Sequence, residues 1–200
     1  MQIEILYVND GSKDDSLDIL IALMQQDKRI KIIDLSRNFG KETAMTAGLD
    51  VAKGDAVVII DADLQDPPEL ITEMVKIWRT GFDVVYAKRT KRKGESLIKK
   101  ATARLFYKLI NKISDHEIPE NVGDFRLMSR QAVDALNQVR ERKRFMKGLF
   151  AWIGFPQTAI EYSRDPRLAG KTNWNYRKLT KFAIEGISSF TQEPLRLATY

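Results

Sequence analysis

The stretch Ala56-Val57-Val58-Ile59-Ile60-Asp61-Ala62-Asp63-Leu64-Gln65-Asp66-Pro67-Pro68 decides the fold. Its unbroken apolar run reads as a strand buried on both faces, as in a parallel sheet. Two aspartates follow where that strand ends, and in an open α/β sheet ligands bind at the carboxyl ends of the strands. The paired prolines then open a helix, with Asp66 as its cap. Upstream, Ile3 to Val8 reads as a strand, and Ser12 as the cap of a helix from Lys13 to Gln26, with Asp15 as its capping-box partner. A second strand is expected over Ile30 to Leu35, a helix over Lys41 to Lys53 ended by Gly54, and a fourth strand over Phe82 to Ala87. Strands alternating with helices predict βαβ units, right-handed connections and an α/β fold with a mostly parallel sheet flanked by helices.

The second half changes character. Ser96 to Ser114 reads as one amphipathic helix, with Ile98, Leu105, Phe106, Leu109, Ile110 and Ile113 on one arc and Lys100, Arg104, Lys108 and Lys112 opposite. A short run, Gly123 to Met128, precedes a helix over Arg130 to Val139 and a basic knot, Arg140 to Arg144. Gln157 to Tyr162 reads as a late strand, and Asn175 to Phe190 as a last amphipathic helix. The expected division is a domain over residues 1–170, followed by a juxtamembrane helix and tail over 171–200.

Length and composition narrow the class. A chain of 200 residues is long enough for one sizeable core without staples. The absence of cysteine excludes a disulfide framework, a thiolate zinc site and thiol catalysis. No signal peptide precedes the first strand, and no run approaches the roughly 20 apolar residues of a membrane span, so the chain reads as soluble or peripheral. The net charge of +6 is local: ten Lys or Arg and one acid, Glu95, lie between Lys88 and Lys112. Such a band suits anionic lipid, nucleic acid or a phosphorylated substrate. A nucleic-acid module is the weaker reading, because aromatics do not interleave with the basic residues as stacking platforms would.

Asp61 and Asp63 alternate by two, so extended backbone would point them the same way. Two adjacent carboxylates repel unless a cation or proton intervenes, and hard oxygens suit Mg²⁺ or Mn²⁺, which bind substrate phosphates in turn. The aspartyl-phosphate phosphatase pattern also places two aspartates after a strand, but it calls for Thr or Val after the second, where this chain has Leu64-Gln65. Asp10, in the turn Asn9-Asp10-Gly11-Ser12, is open to two readings: a ligand to a base or ribose, or part of a turn. Arg37 and Lys41 flank Gly40 ahead of a helix, a place where anions settle. Trp78 and Trp152 are expected in the core, His116 on the surface and Trp174 after a basic loop.

Four runs occur in order: Asn-Asp-Gly-Ser from Asn9, Ser-Arg-Asn-Phe-Gly-Lys-Glu from Ser36, Asp-Ala-Asp-Leu-Gln-Asp-Pro-Pro-Glu from Asp61, and Gly-Asp-Phe-Arg-Leu-Met from Gly123. Together they resemble the family-2 inverting glycosyltransferases, and more narrowly the polyprenyl-phosphate type, which includes bactoprenol glucosyltransferases and dolichyl-phosphate mannose synthases. The likeness covers essentially the whole chain. It implies a GT-A fold and transfer of a hexose, with UDP-glucose favoured as donor, to a polyprenyl (undecaprenyl) phosphate. It implies that Asp10 contacts the nucleotide base and that Arg37 and Lys41 lie near the nucleotide. Asp61, Asp63 and Gln65 would hold Mg²⁺ or Mn²⁺ on the donor diphosphate, with Asp63 and Asp124 at the reacting centre. Asp124 would face the acceptor, Arg126 would bind its phosphate, and Arg167 and Lys171, in a loop from Arg164, would contact phosphate.

The chain departs from that pattern at both ends. Relatives begin with a further strand and helix, so a sheet edge or gap is expected here. Relatives continue into membrane helices after a segment like Glu193 to Thr199. The basic helix at residues 96–114 is expected to lie in the membrane interface, at the cytoplasmic face of the inner membrane. Two alternatives stand beside the enzyme: an inactive membrane-associated fragment, and a family-2 transferase with a sugar hydroxyl as acceptor. A homo-oligomer is left open.

Overall fold

The computed structural model describes residues 2–90, 122–140 and 146–163. In chain order the elements are β1 (Ile5–Asn9), α1 (Ser16–Gln26), β2 (Ile30–Asp34), α2 (Lys41–Val51), β3 (Ala56–Ile59), α3 (Leu70–Trp78), β4 (Val84–Arg89), β5 (Val122–Ser129), α4 (Arg130–Gln138), α5 (Met146–Trp152) and β6 (Gln157–Tyr162). This is the α/β architecture expected, but the strands form two sheets, a pair β1-β2 and a four-stranded sheet in the order β3-β5-β4-β6. The ladders β1·β2 and β4·β6 are both parallel, as connections through helices and long crossovers require.

The chain divides into two compact units, Met1–Val57 with Met128–Arg140 and Val58–Leu127 with Glu141–Tyr200. In the first, β1 and β2 pair from Ile5 with Ile30 to Asn9 with Asp34, so both strands end level. Leu49 of α2 and Ala132, Val133 and Leu136 of α4 are buried. Ser129 caps α4 by accepting from the Ala132 N–H, and Arg130 Nη1 donates to the Ala52 carbonyl at 2.6 Å. In the second unit, Val84, Val85 and Ala87 of β4, Phe125 and Leu127 of β5, Met74 of α3 and Leu149 and Phe150 of α5 make the core.

Several expectations are corrected. Helix α1 starts at Ser16, not Lys13. Ser12 does not cap it; its N–H donates to Asn9 Oδ1 in a turn, while the Ser16 N–H is taken by Asp14. Helix α3 starts at Leu70 after the two prolines, and Asp66, expected as its cap, is turned inward instead. Strand β3 is only half-buried along its length. Among the described residues the most buried strand is β5, which the sequence shows only as a short run, because Asp124 and Arg126 interrupt its apolar pattern. Helix α5 has too few residues for a helical period to register. Trp152, expected in the core, is 52% exposed. The helix at residues 96–114, the loop from Arg164 to Lys171, His116, Trp174 and the last helix and tail lie outside the described residues. Among the described residues, no helix is long and apolar enough to cross a membrane.

Candidate active site

The sites expected at Asp10, Arg37 and Lys41 lie in the first unit. Strand β1 ends at Asn9, whose buried side chain is used at both ends: Nδ2 donates to Asp34 Oδ1 at 2.8 Å, and Oδ1 accepts from the Ser12 N–H. The level register of the two strands puts Asn9 opposite Asp34, which makes that bond available. Asp10 follows, and its two carboxylate oxygens accept from the N–H groups of Phe39 at 2.7 Å and Gly40 at 2.9 Å. These N–H groups open helix α2. The anion expected at this turn is therefore supplied by the protein itself, since the free N–H groups and the dipole of a helix start favour a carboxylate. Asn38 Nδ2 closes the clamp by donating to the Asp10 carbonyl.

Gly11 permits this close approach. It has φ of +65°, and a Cβ there would lie 2.5 Å from both the Arg37 carbonyl carbon and the Asn38 nitrogen. The Arg37 guanidinium stacks 4.1 Å from the centroid of the exposed Phe39 ring, and Lys41 is exposed at the first position of α2. Both cations stand beside the loop that Asp10 fixes.

In the second unit, β3 ends at Ile59 and the chain turns at residues 62–64. Asp61 and Asp63 are thus presented by a turn rather than by extended backbone, so the alternation argument does not apply. Leu64 has φ of +56°, the sole positive φ of a non-glycine among the described residues. That conformation crowds the Cβ and costs about 1–2 kcal/mol. The Asp63 carboxylate accepts from the Gln65 N–H. Asp61 and Asp63 are half-buried, open enough to meet a ligand. Among the described residues, no cluster of three His, Cys, Asp or Glu side chains could hold a metal by itself. The donor set nevertheless fits Mg²⁺ or Mn²⁺, which take one or two carboxylates and complete their shell with water and substrate phosphate. Gln65 adds a neutral oxygen.

Asp66 is 1% exposed. The Tyr162 hydroxyl donates to its carboxylate, and Arg89 Nη2 stands 3.9 Å from the same oxygen. Arg89 Nε also donates to the Tyr162 oxygen at 3.1 Å. Burial, then the bond to Asp66, raises the Tyr162 pKa above its ordinary value, and Arg89 opposes that shift.

On β5, Asp124 is half-buried and Arg126 is 4% exposed. Residues two apart share a face of a strand, so the two point the same way. Arg126 lies 3.6 Å from the Phe150 ring centroid, a desolvated cation–π contact worth about 2 kcal/mol, and its Nη2 donates to the Gly123 carbonyl. It lines a small pocket with Tyr86, Lys147, Phe150 and Gln157. Lys147 and Phe150 went unnoticed in the sequence because α5 did.

Residues 1–136 match the family described as glycosyl transferase family 2. The chain belongs to this family. Its similarity extends further: a glycosyltransferase of Synechocystis sp. is 56% identical over 197 residues, covering 98% of this chain and 62% of that protein. A prophage bactoprenol glucosyl transferase homolog of Escherichia coli is 49% identical over 199 residues, covering 100% of this chain and 65% of its own length. The bactoprenol glucosyl transferase of Shigella phage SfV has the same identity and coverage. The chain thus spans less than two thirds of these curated relatives. Among solved structures, glucosyl-3-phosphoglycerate synthase of Mycobacterium tuberculosis, in complex with Mn²⁺, UDP-glucose and phosphoglyceric acid, aligns with a TM-score of 0.55 at 18% identity, covering 92% of this chain and 66% of that one. The fold of this family-2 chain is that of the GT-A glycosyltransferases.

Proposed function

We propose that this family-2 chain transfers glucose from UDP-glucose to a polyprenyl phosphate with inversion at the anomeric carbon. The observation that carries the reading is the turn after β3, which offers Asp61, Asp63 and Gln65 beside a wholly buried anchor. The relatives named bactoprenol glucosyl transferase support the donor and acceptor classes.

Asp61, Asp63 and Gln65 would hold Mg²⁺ or Mn²⁺. The metal would neutralise the charge that develops on the departing diphosphate. Asp10 would accept from the base while its clamp on Phe39 and Gly40 fixes the loop, and Arg37 and Lys41 would contact the nucleotide. Arg126 would bind the acceptor phosphate, with Lys147 adding charge to the same pocket. Arg167 and Lys171 would contact the donor phosphates. One acceptor phosphate oxygen forms the new bond to the anomeric carbon as the bond to the diphosphate oxygen breaks, and UDP leaves. That oxygen is already anionic at neutral pH, so Asp124 orients the acceptor and need not take a proton. The basic segment at residues 96–114, expected from its sequence pattern as an amphipathic helix, would rest on anionic lipid at the cytoplasmic face of the membrane.

The test is transfer of labelled glucose to polyprenyl phosphate by the wild type and by Asp124→Asn. The expected loss in the variant is mild, within about tenfold, because no proton transfer is removed. A loss of about 10³-fold or more would mark Asp124 as a base and favour a hydroxyl acceptor.

A further inference from the structure

Between the end of β3 and the start of α3, residues 60–69 carry a single buried side chain, and it is the charged Asp66. Burying a carboxylate is unfavourable unless it is paired and hydrogen-bonded, and apolar replacements of buried ion pairs often cost no stability. A role in geometry accounts for the charge better than a role in stability.

Its partners are built into the sheet. Arg89 and Tyr162 face each other in the β4·β6 ladder. The Thr90 N–H and hydroxyl both donate to the Tyr162 carbonyl. The Tyr162 ring meets Phe125 edge-on, with centroids 6.4 Å apart. Arg89 has its place because position 123 is glycine: a Cβ there would lie 2.7 Å from Arg89 Nη2. Asp66 is therefore tied to the sheet itself, one residue beyond Gln65 and three beyond Asp63.

We propose that Asp66, held by Tyr162 and Arg89, is the positioning residue of the metal turn. The contact sets where Asp61, Asp63 and Gln65 present their oxygens, so metal affinity depends on a hydroxyl 96 positions away in the chain. The inference rests on the donor-site reading given above.

The test uses the full chain as wild type, Tyr162→Phe, Asp66→Asn and, as a packing control in the same strand, Ile160→Val. Mn²⁺ binding in the presence of UDP is followed by the loss of the free-ion paramagnetic resonance signal, below the melting temperature of every variant. Tyr162→Phe keeps the ring and removes the anchoring bond. The expected result is Mn²⁺ affinity weakened about tenfold, with donor KM restored by excess Mn²⁺ and kcat unchanged at saturation. Asp66→Asn weakens it at least as much. Ile160→Val lowers the melting temperature and leaves Mn²⁺ affinity as it was. Affinity in Tyr162→Phe within about twofold of wild type, in a chain that does bind Mn²⁺ with UDP, overturns the positioning role alone. So does an equal loss in Ile160→Val. A wild type whose UDP binding ignores Mn²⁺ overturns the donor-site reading and the positioning role together.

Discussion

The loop after β1 and the turn after β3 both present aspartates at strand ends, yet they are held in opposite ways. Asp10 is fixed through backbone: its carboxylate takes two N–H groups at the start of α2, and Gly11 lets the two loops touch. The turn after β3 is fixed through side chains: Asp66 reaches inward to Tyr162 and Arg89, and Leu64 takes a strained left-handed conformation. A backbone clamp tolerates little change in shape. A side-chain anchor leaves the shape more freedom but depends on distant partners. Two candidate sites in one chain are thus preorganised by different physics and should fail differently.

The largest break is expected at the clamp. Gly11→Ala puts a Cβ 2.5 Å from the backbone of Arg37 and Asn38 and forces φ of +65° on alanine. Strain and overlap together should cost about 3 kcal/mol, read as a fall in the urea midpoint with loss of UDP binding. A midpoint unchanged by the substitution would mean the loops do not approach this closely.

A smaller effect separates the anchor from the clamp by pH. Folding raises the Tyr162 pKa above its ordinary 10.0, mainly by burial. The unfolded chain then loses that proton first, so the associated stability is complete below the unfolded value and is lost as pH rises through the folded one. Tyr162→Phe has no such proton, so the stability gap between wild type and variant should narrow between about pH 8 and about pH 11. Denaturant midpoints at the two values check this; a constant gap would remove Tyr162 from the buried network.

The smallest effect is expected at Leu64, which is 57% exposed and so loses little burial on truncation. Leu64→Gly relieves the left-handed strain but gives the unfolded chain more freedom, and the two nearly cancel, leaving stability within about 1 kcal/mol of wild type. A large loss in the same denaturant measurement would show that the Leu64 side chain, not its backbone, holds the turn.

Local patterns made much of this fold legible. Gln157 to Tyr162 was readable to the residue, and β2, α2 and α4 to within two residues at each end, because their apolar periods are uninterrupted. Strand β5 hid behind Asp124 and Arg126, and α5 behind its brevity. Of the candidate site residues, Asp61, Asp63 and Asp10 announced themselves as polar groups at strand ends, whereas Gln65 and Asp124 were marked only by the resemblance. Their holders were marked by neither. Nothing within a helical or strand period links Asp66 to Tyr162, or Asp10 to the N–H groups of Phe39 and Gly40, because those partners meet only once the chain has folded. Asp66 looked like a cap because prolines followed it, and the bond to Tyr162 is the stronger demand on a buried carboxylate.

The most direct test of a metal at the turn after β3 is calorimetric binding of UDP to the wild type and to Asp61→Ala and Asp63→Ala, with and without Mn²⁺. Mn²⁺ should tighten UDP binding to the wild type by about tenfold or more, and each substitution should remove most of that gain while leaving metal-free binding near wild type. Mn²⁺ enhancement that survives both substitutions would contradict this and place the metal elsewhere.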